Sequence, residues 1–259
     1  MKLCIEGYVA FLDILGFSRI VAKDSFHERF EAYIGIIRDA VDYPRSSLEF
    51  EISSDSVVIY SNGLNLVHLQ NLLTAISTIS FRLLTEIQIP LRGAVSAGKY
   101  WRFKSNDGHL MFSGAPIVDA VEFEKEQLWL GIMITPKMLE NIPHTQELFA
   151  ILNDFNNSTY AELNAQMPWP LLVWRQENIP FRYRNSLNER SFAGIVIIPS
   201  SPNCKSPEEL ICSLETYIKK LKELKIMAPT PEAQQKYSAT MFCLENIRKK
   251  WNRIISNSK

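Results

Sequence analysis

From Tyr8 to Asp13 the chain reads YVAFLD, an apolar run closed by a carboxylate and followed by Ile14, Leu15 and Gly16. A run without polar alternation predicts a central strand covered on both faces. A helix is expected next, with Ser18 as its N-cap and Phe26, Phe30, Tyr33, Ile37 and Val41 marking one face until Pro44. From Leu48 to Ile52 apolar and acidic residues alternate, and Ser53, Ser54 and Asp55 lead into VVIY at Val57 to Tyr60. That pattern predicts a β-hairpin with Asp55 at its polar tip.

Between Leu64 and Ile87 the apolar residues return at helical spacing, and Pro90 forbids continuation. Leu91 to Gly98 reads as a strand, Asn106-Asp107-Gly108 as a turn, Ala115 to Leu130 as a third helix, and Gly131 to Thr135 as a further strand. Beyond Pro136, strand-like runs at Trp169 to Trp174 and Phe192 to Ile198 precede helices near Glu208–Ile226 and Pro231–Ile255, with prolines at 199, 202, 229 and 231 at the joints. Hairpin and crossover connections within one sheet predict an α+β fold with helices on one face, residues 1–141 forming a core and 142–259 adding C-terminal strands and helices packed on it as one unit.

Composition narrows the function. The 259 residues carry 28 Lys and Arg against 28 Asp and Glu, a formal net charge of zero, so bulk charge attracts neither nucleic acid nor an anionic membrane. The basic C-terminal stretch around Lys219, Lys222, Lys249 and Arg253 is interspersed with Glu and reads as a solvated helix face. Cys4, Cys204, Cys212 and Cys243 lie far apart with no CxxC spacing, which predicts neither a zinc cluster nor a disulfide framework and suits a reducing cytoplasm. With Glu6 inside the first apolar stretch and no run of about 18 apolar residues, neither a signal peptide nor a membrane span is expected.

Two carboxylates stand where chemistry is possible. Taken singly each has an ordinary account: Asp13 caps the following helix, and Asp55 closes its own turn. Taken together, two hard oxygen ligands from neighbouring strands suit Mg²⁺ or Mn²⁺ held against a nucleoside triphosphate.

Four blocks of sequence resemble, in order, the class III nucleotidyl cyclase homology domain: FLDILGFS from Phe11, SDSVVIY from Ser54, LRGAVSAG from Leu91 and FSGAPIVDAVEFE from Phe112. They span about residues 7–135, and the nearest variety is the bacterial pyrimidine (uridylate or cytidylate) cyclases of Pycsar antiphage defence. The resemblance implies a ferredoxin-type sheet and a homodimer with shared active sites. It implies two metal ions per site on Asp13, Asp55 and the Ile14 carbonyl, and a turn at Leu15, Gly16 and Phe17 whose N–H groups receive the triphosphate. Glycine there permits close approach, and the helix start adds a favourable partial charge. The implied reaction is attack of the ribose 3′-hydroxyl on the α-phosphate with loss of pyrophosphate, the cyclic product being sensed by a separate effector.

Departures from the pattern shape the expectation. Where adenylate and guanylate cyclases carry an asparagine and, four residues on, an arginine, this chain has Val118 and Glu122. Phosphate charge must then be met elsewhere, with Arg92 the first choice and Lys99, Arg102 and Lys125 behind it. Glu51, four residues before Asp55, occupies the family's base-reading place, and its carboxylate accepts from cytosine N4 or from guanine N1 and N2. An ordinary account is a solvent-facing residue alternating with Phe50 and Ile52. Phe50, Tyr8 and Phe17 are candidates to stack on a base, with core packing as the alternative. The leading expectation is a cyclase making cUMP or cCMP. The alternatives are a guanylate cyclase and a catalytically silent cyclase-like module that binds a nucleotide or a partner.

Overall fold

The computed structural model describes residues 2–17, 26–42, 47–104, 110–143, 146, 173–182, 189–202 and 204–257. Strand β1 (Lys2–Ile14) leads to helix α1 (Phe26–Asp42), and the hairpin β2 (Leu48–Ser53) and β3 (Ser56–Ser61) leads to α2 (Leu66–Ile87). Then come β4 (Leu91–Lys104), β5 (Leu110–Gly114), α3 (Ala115–Glu126), β6 (Ile132–Ile134), α4 (Pro136–Asn141), β7 (Val173–Arg182), β8 (Glu189–Ile197), α5 (Pro207–Met227) and α6 (Pro231–Asn257). Ser18 and the turn at residues 106–108 lie outside the described residues.

The expected α+β architecture is what the structure shows. One eight-stranded sheet runs β2-β3-β1-β4-β6-β8-β7, with β5 pairing β4 off this path. Among the described residues all strand pairings are antiparallel except β4 with β6. β1 is central, as its apolar run requires, and it is flanked by β3 and β4. Gly93 allows this close approach: a Cβ there would lie 2.5 Å from the Phe11 carbonyl oxygen.

Strand alternation sorts side chains between two layers. Leu12, Ile14, Val57, Ile59, Val95 and Ile134 face α1 and α2 in one core. Phe11, Ala94, Met133 and Val196 face the other way, against α3, α5 and α6. Helix cover therefore extends to the second face, where α3 and the C-terminal helices bury what a one-faced arrangement would leave in water. The two layers are joined by α2, whose Ser80 and Phe81 meet Tyr217 of α5 through a 3.2 Å hydroxyl pair and a ring stack at 6.5 Å.

Several bounds differ from the sequence reading. β4 does not end at Gly98 but runs on to Lys104, and β1 begins at Lys2, because the two strands pair along their whole length from Lys2 opposite Phe103 to Ile14 opposite Leu91. α3 stops at Glu126 rather than Leu130, since Leu128 donates to the Pro180 carbonyl and Leu130 to Thr240. β7 lies mostly beyond Trp174, in a segment too polar to announce a strand.

Candidate active site

β1 delivers Asp13 to one end of the sheet, and the β2–β3 turn delivers Asp55 to the same place. Ser54 takes φ 57° to close that turn, and the Ile14 N–H donates to the Asp55 carbonyl at 2.9 Å, which holds the tip beside the end of β1. Asp13 stands opposite Ser56 on one side and Arg92 on the other, and Ser56 donates a hydrogen bond to its carboxylate. Burial raises the Asp13 carboxyl above its ordinary range, the Arg92 charge opposes that, and the neighbouring Asp55 charge adds to it.

The Arg92 guanidinium is held from three sides. Its Nε meets Glu124 Oε1, its Nη1 donates to the Gln127 carbonyl at 3.1 Å, and its Nη2 lies 3.9 Å from Asp13 Oδ2. The Glu124 side chain is only 3% exposed, so the pair is a buried one in which breaking either half would leave an uncompensated charge. Burial raises the Glu124 carboxyl, again opposed by Arg92. Gln127 completes the frame, donating to the Gly93 carbonyl at 2.9 Å and accepting from the Trp129 indole at 3.0 Å. Lys125, exposed on the last turn of α3, acts on both Asp13 and Glu124 and lowers both.

The other expected residues sort differently. Gly16 takes φ +77° with open space where a Cβ would stand, as a turn approached by a ligand requires. The Leu15 N–H is already spent on the Pro90 carbonyl at 3.1 Å, which corrects its expected place among the phosphate donors. The Phe17 ring packs on the α1–α2 core. Lys99 is also corrected: it stands opposite Glu6, seven residues from the Arg92–Asp13 pair and about 23 Å along the strand. It stands too far along the strand to reach the turn at Gly16. Arg102 is committed to Glu49 at 2.5 Å and lies over the Tyr60 ring.

Glu51 shares a sheet face with Asp13, because both register with residues on the same side of β3, Val58 and Ser56. It is half-buried and accepts from the Tyr60 hydroxyl at 3.4 Å. Phe50, one residue away, therefore faces the opposite layer and packs on the α1–α2 core, so it does not share a base site with Glu51. Tyr8 is fully buried and its hydroxyl donates to the Leu64 carbonyl at 2.9 Å. Val118, 56% exposed, and Glu122 sit one turn apart on α3.

Sequence reasoning passed over Glu124, Gln127 and Tyr33. Glu124 was visible as the acid that ends the fourth block, but only folding shows that it grips Arg92. Tyr33 of α1 is buried, and both aspartate charges act on its hydroxyl.

The two aspartates fit a hard dication: they converge, they repel, and one is pushed towards its neutral form by burial and by the other. Among the described residues no group of three or more His, Cys, Asp or Glu side chains is arranged to hold an ion, and Asp13, Asp55 and the Ile14 carbonyl are the oxygens at this end of the sheet that could hold one.

No protein-family profile matches the chain, and no curated protein does. Among solved structures the similar chains include adenylyl and guanylyl cyclase domains. The adenylyl cyclase CyaB from P. aeruginosa is similar at TM-score 0.46 and 11% identity, over 78% of this chain and 98% of that one. The non-canonical dimeric guanylyl cyclase domain of the RhoGC fusion protein from Blastocladiella emersonii is similar at 0.47 and 13%, over 75% and 96%. The guanylate cyclase domain of RhGC from Catenaria anguillulae, in complex with GTP, is similar at 0.42 and 14%, over 53% and 82%. Likenesses at this level carry no function across, so the reading of the site rests on its own residues.

Proposed function

We propose that this chain is a metal-dependent nucleotidyl cyclase that converts UTP or CTP to the 3′,5′-cyclic nucleotide and pyrophosphate. The observation that carries the reading is the convergence of Asp13 and Asp55 at the end of β1, tied by the Ile14–Asp55 backbone bond. Mg²⁺ or Mn²⁺, two per site, would lower the pKa of the ribose hydroxyl and offset charge on the phosphates. Asp13, Asp55 and the Ile14 carbonyl would hold the ions, and the turn at Gly16 and Phe17 would receive the triphosphate. Arg92 keeps Asp13 and Glu124 from repelling each other, and Lys125, exposed on the last turn of α3, meets phosphate charge as it develops. No protein nucleophile is needed. Val118 and Glu122, where purine cyclases of the family carry Asn and Arg, favour a pyrimidine substrate.

The working form is a homodimer with shared sites, residues 1–141 supplying the catalytic core and 142–259 bracing it. The reaction belongs in the cytoplasm, where nucleoside triphosphates are found, and its product would signal to a separate effector in antiphage defence. No described helix is long and apolar enough to cross a membrane. A second reading, a guanylate cyclase, is favoured by the Glu51 carboxylate on the Asp13 face, since guanine offers it two N–H donors. Incubating the purified protein with each of the four nucleoside triphosphates and Mn²⁺, read by mass spectrometry, separates these. Cyclic CMP or UMP with pyrophosphate supports the first reading, cyclic GMP the second, and no cyclic product from any of the four overturns both in favour of a silent module.

A further inference from the structure

Arg92 lies between two carboxylates and closes on only one of them. Its Nε meets Glu124 Oε1 and its Nη1 donates to the Gln127 carbonyl at 3.1 Å, whereas Nη2 stands 3.9 Å from Asp13 Oδ2. At that last distance the charges attract but no hydrogen bond forms. The restraint is itself anchored: the fully buried Gln127 side chain donates to the carbonyl of Gly93, next to Arg92 on β4, at 2.9 Å and accepts from Trp129 at 3.0 Å. The end of α3 is thus tied to the strand that carries Arg92, and from there it holds the guanidinium on its own side. Stability does not account for this arrangement, because a buried ion pair is often no better than an apolar pair of similar volume. An arginine directly opposite Asp13 in register, left unrestrained, would fork its carboxylate with two N–H groups. The oxygens that a dication needs would then be occupied.

We propose that Glu124 is a positioning residue for the metal site: by holding Arg92 off Asp13, it leaves the Asp13 carboxylate open to a divalent cation. The inference rests on the metal-dependent reading above and concerns how the site is kept ready, whichever nucleotide it takes. Two effects act together. Glu124 offsets the guanidinium charge at close range, which lessens the repulsion that an arriving dication meets, and its tether keeps Nη2 from covering Oδ2. The Asp13 side chain, 24% exposed against 3% for Glu124, is the one of the two carboxylates that an ion from solvent can reach.

Mn²⁺ binding to the full chain without nucleotide, followed by the free-ion electron paramagnetic resonance signal, tests this. Glu124→Gln releases the guanidinium to close on Asp13, and Mn²⁺ affinity falls about tenfold or more, as for loss of a group that orients a metal ligand. Removing Arg92 as well, in the double variant Arg92→Gln/Glu124→Gln, takes away the group that closes, and affinity returns to the wild-type value or above it. A role in packing alone predicts no such return. Equal affinity of the wild-type protein and Glu124→Gln overturns the proposal, and so does a double variant that stays as weak as the single one. Should Glu124→Gln alone fail to fold, the double variant still decides, because it buries a neutral pair: affinity at or above the wild-type value supports the proposal and weaker binding overturns it. Wild-type protein that binds no Mn²⁺, or binds it no better than Asp13→Asn, overturns the metal reading itself and this inference with it.

Discussion

The two faces of the sheet, made by the same strands, are different materials. On the face turned to α1 and α2, Leu12, Val57, Ile59, Val95 and Ile134 pack in one apolar layer. On the opposite face those strands present Asp13, Arg92, Ser96, Glu51 and Arg102, and helix α3 adds Glu124 and Asp119 to meet them. Beside the apolar seats of Ala120 and Phe123, α3 has a polar anchor on that face: Asp119 accepts from Ser96 and Thr135, each at 2.6 Å. Because a strand alternates with period two, one residue step separates a position that carries stability from one that carries chemistry.

The sharpest way to break the comparison is on the polar face. Asp13→Asn or Asp55→Asn removes one anionic metal ligand, and cyclic nucleotide formation should fall by at least about a hundredfold with circular dichroism unchanged. Activity near that of the wild-type protein in both variants, measured by mass spectrometry of the product, ends the metal assignment.

The mirror experiment touches the apolar face. Ile59→Ala opens a cavity in a residue with no solvent exposure and should cost about 2–5 kcal/mol in urea unfolding, while activity per folded molecule stays near the wild-type value. A large activity loss without a stability loss would show that the two faces are not separable.

Base choice gives a smaller effect. Glu51→Gln adds an N–H₂ donor and removes a charge, and it should move relative kcat/KM from cytosine or guanine towards uracil by about ten- to a hundredfold. A competition assay with UTP and CTP that returns the same ratio for both proteins places Glu51 away from the base.

The smallest effect is on stability against pH in metal-free protein. Asp13 is raised above its ordinary value of 3.8 by burial and by Asp55, so between that value and the folded-state one the folded protein holds more protons than the unfolded chain. Its charge thus lowers stability fully above the folded-state pKa, less as the pH falls through the window, and not at all below 3.8. Asp13→Asn should therefore raise Tm at pH 7 in EDTA by about 1–3 °C, an advantage that shrinks on acidification. An advantage that grows towards low pH would reverse the sign assigned to the burial of this carboxylate.

Much of this architecture was legible along the chain, for reasons visible at particular residues. The YVAFLD run could only be a covered strand, and Pro90 had to end α2, where Gln88 at φ 57° turns the chain and Ile89 donates back to Leu83. The SSD tip and the apolar VVIY behind it set the hairpin that brings Asp55 up, and the spacing from Glu51 to Asp55 put both on one hairpin. Such features depend on neighbours within a few residues, and local sterics and hydrogen bonding decide them.

What tertiary structure alone decided lies across long separations. That β1 and β4 pair along β1's full length, carrying Lys99 far from the turn at Gly16, depends on a partner some ninety residues away in sequence. The Leu15 N–H is taken by Pro90, the Arg92 guanidinium by Glu124 and Gln127, and Phe50 by the helical core. Sequence shows which groups are able to donate, accept or bury. Which partner each one meets is set by the register of strands and the seating of helices, because a hydrogen bond or an ion pair is made only over the last few ångströms.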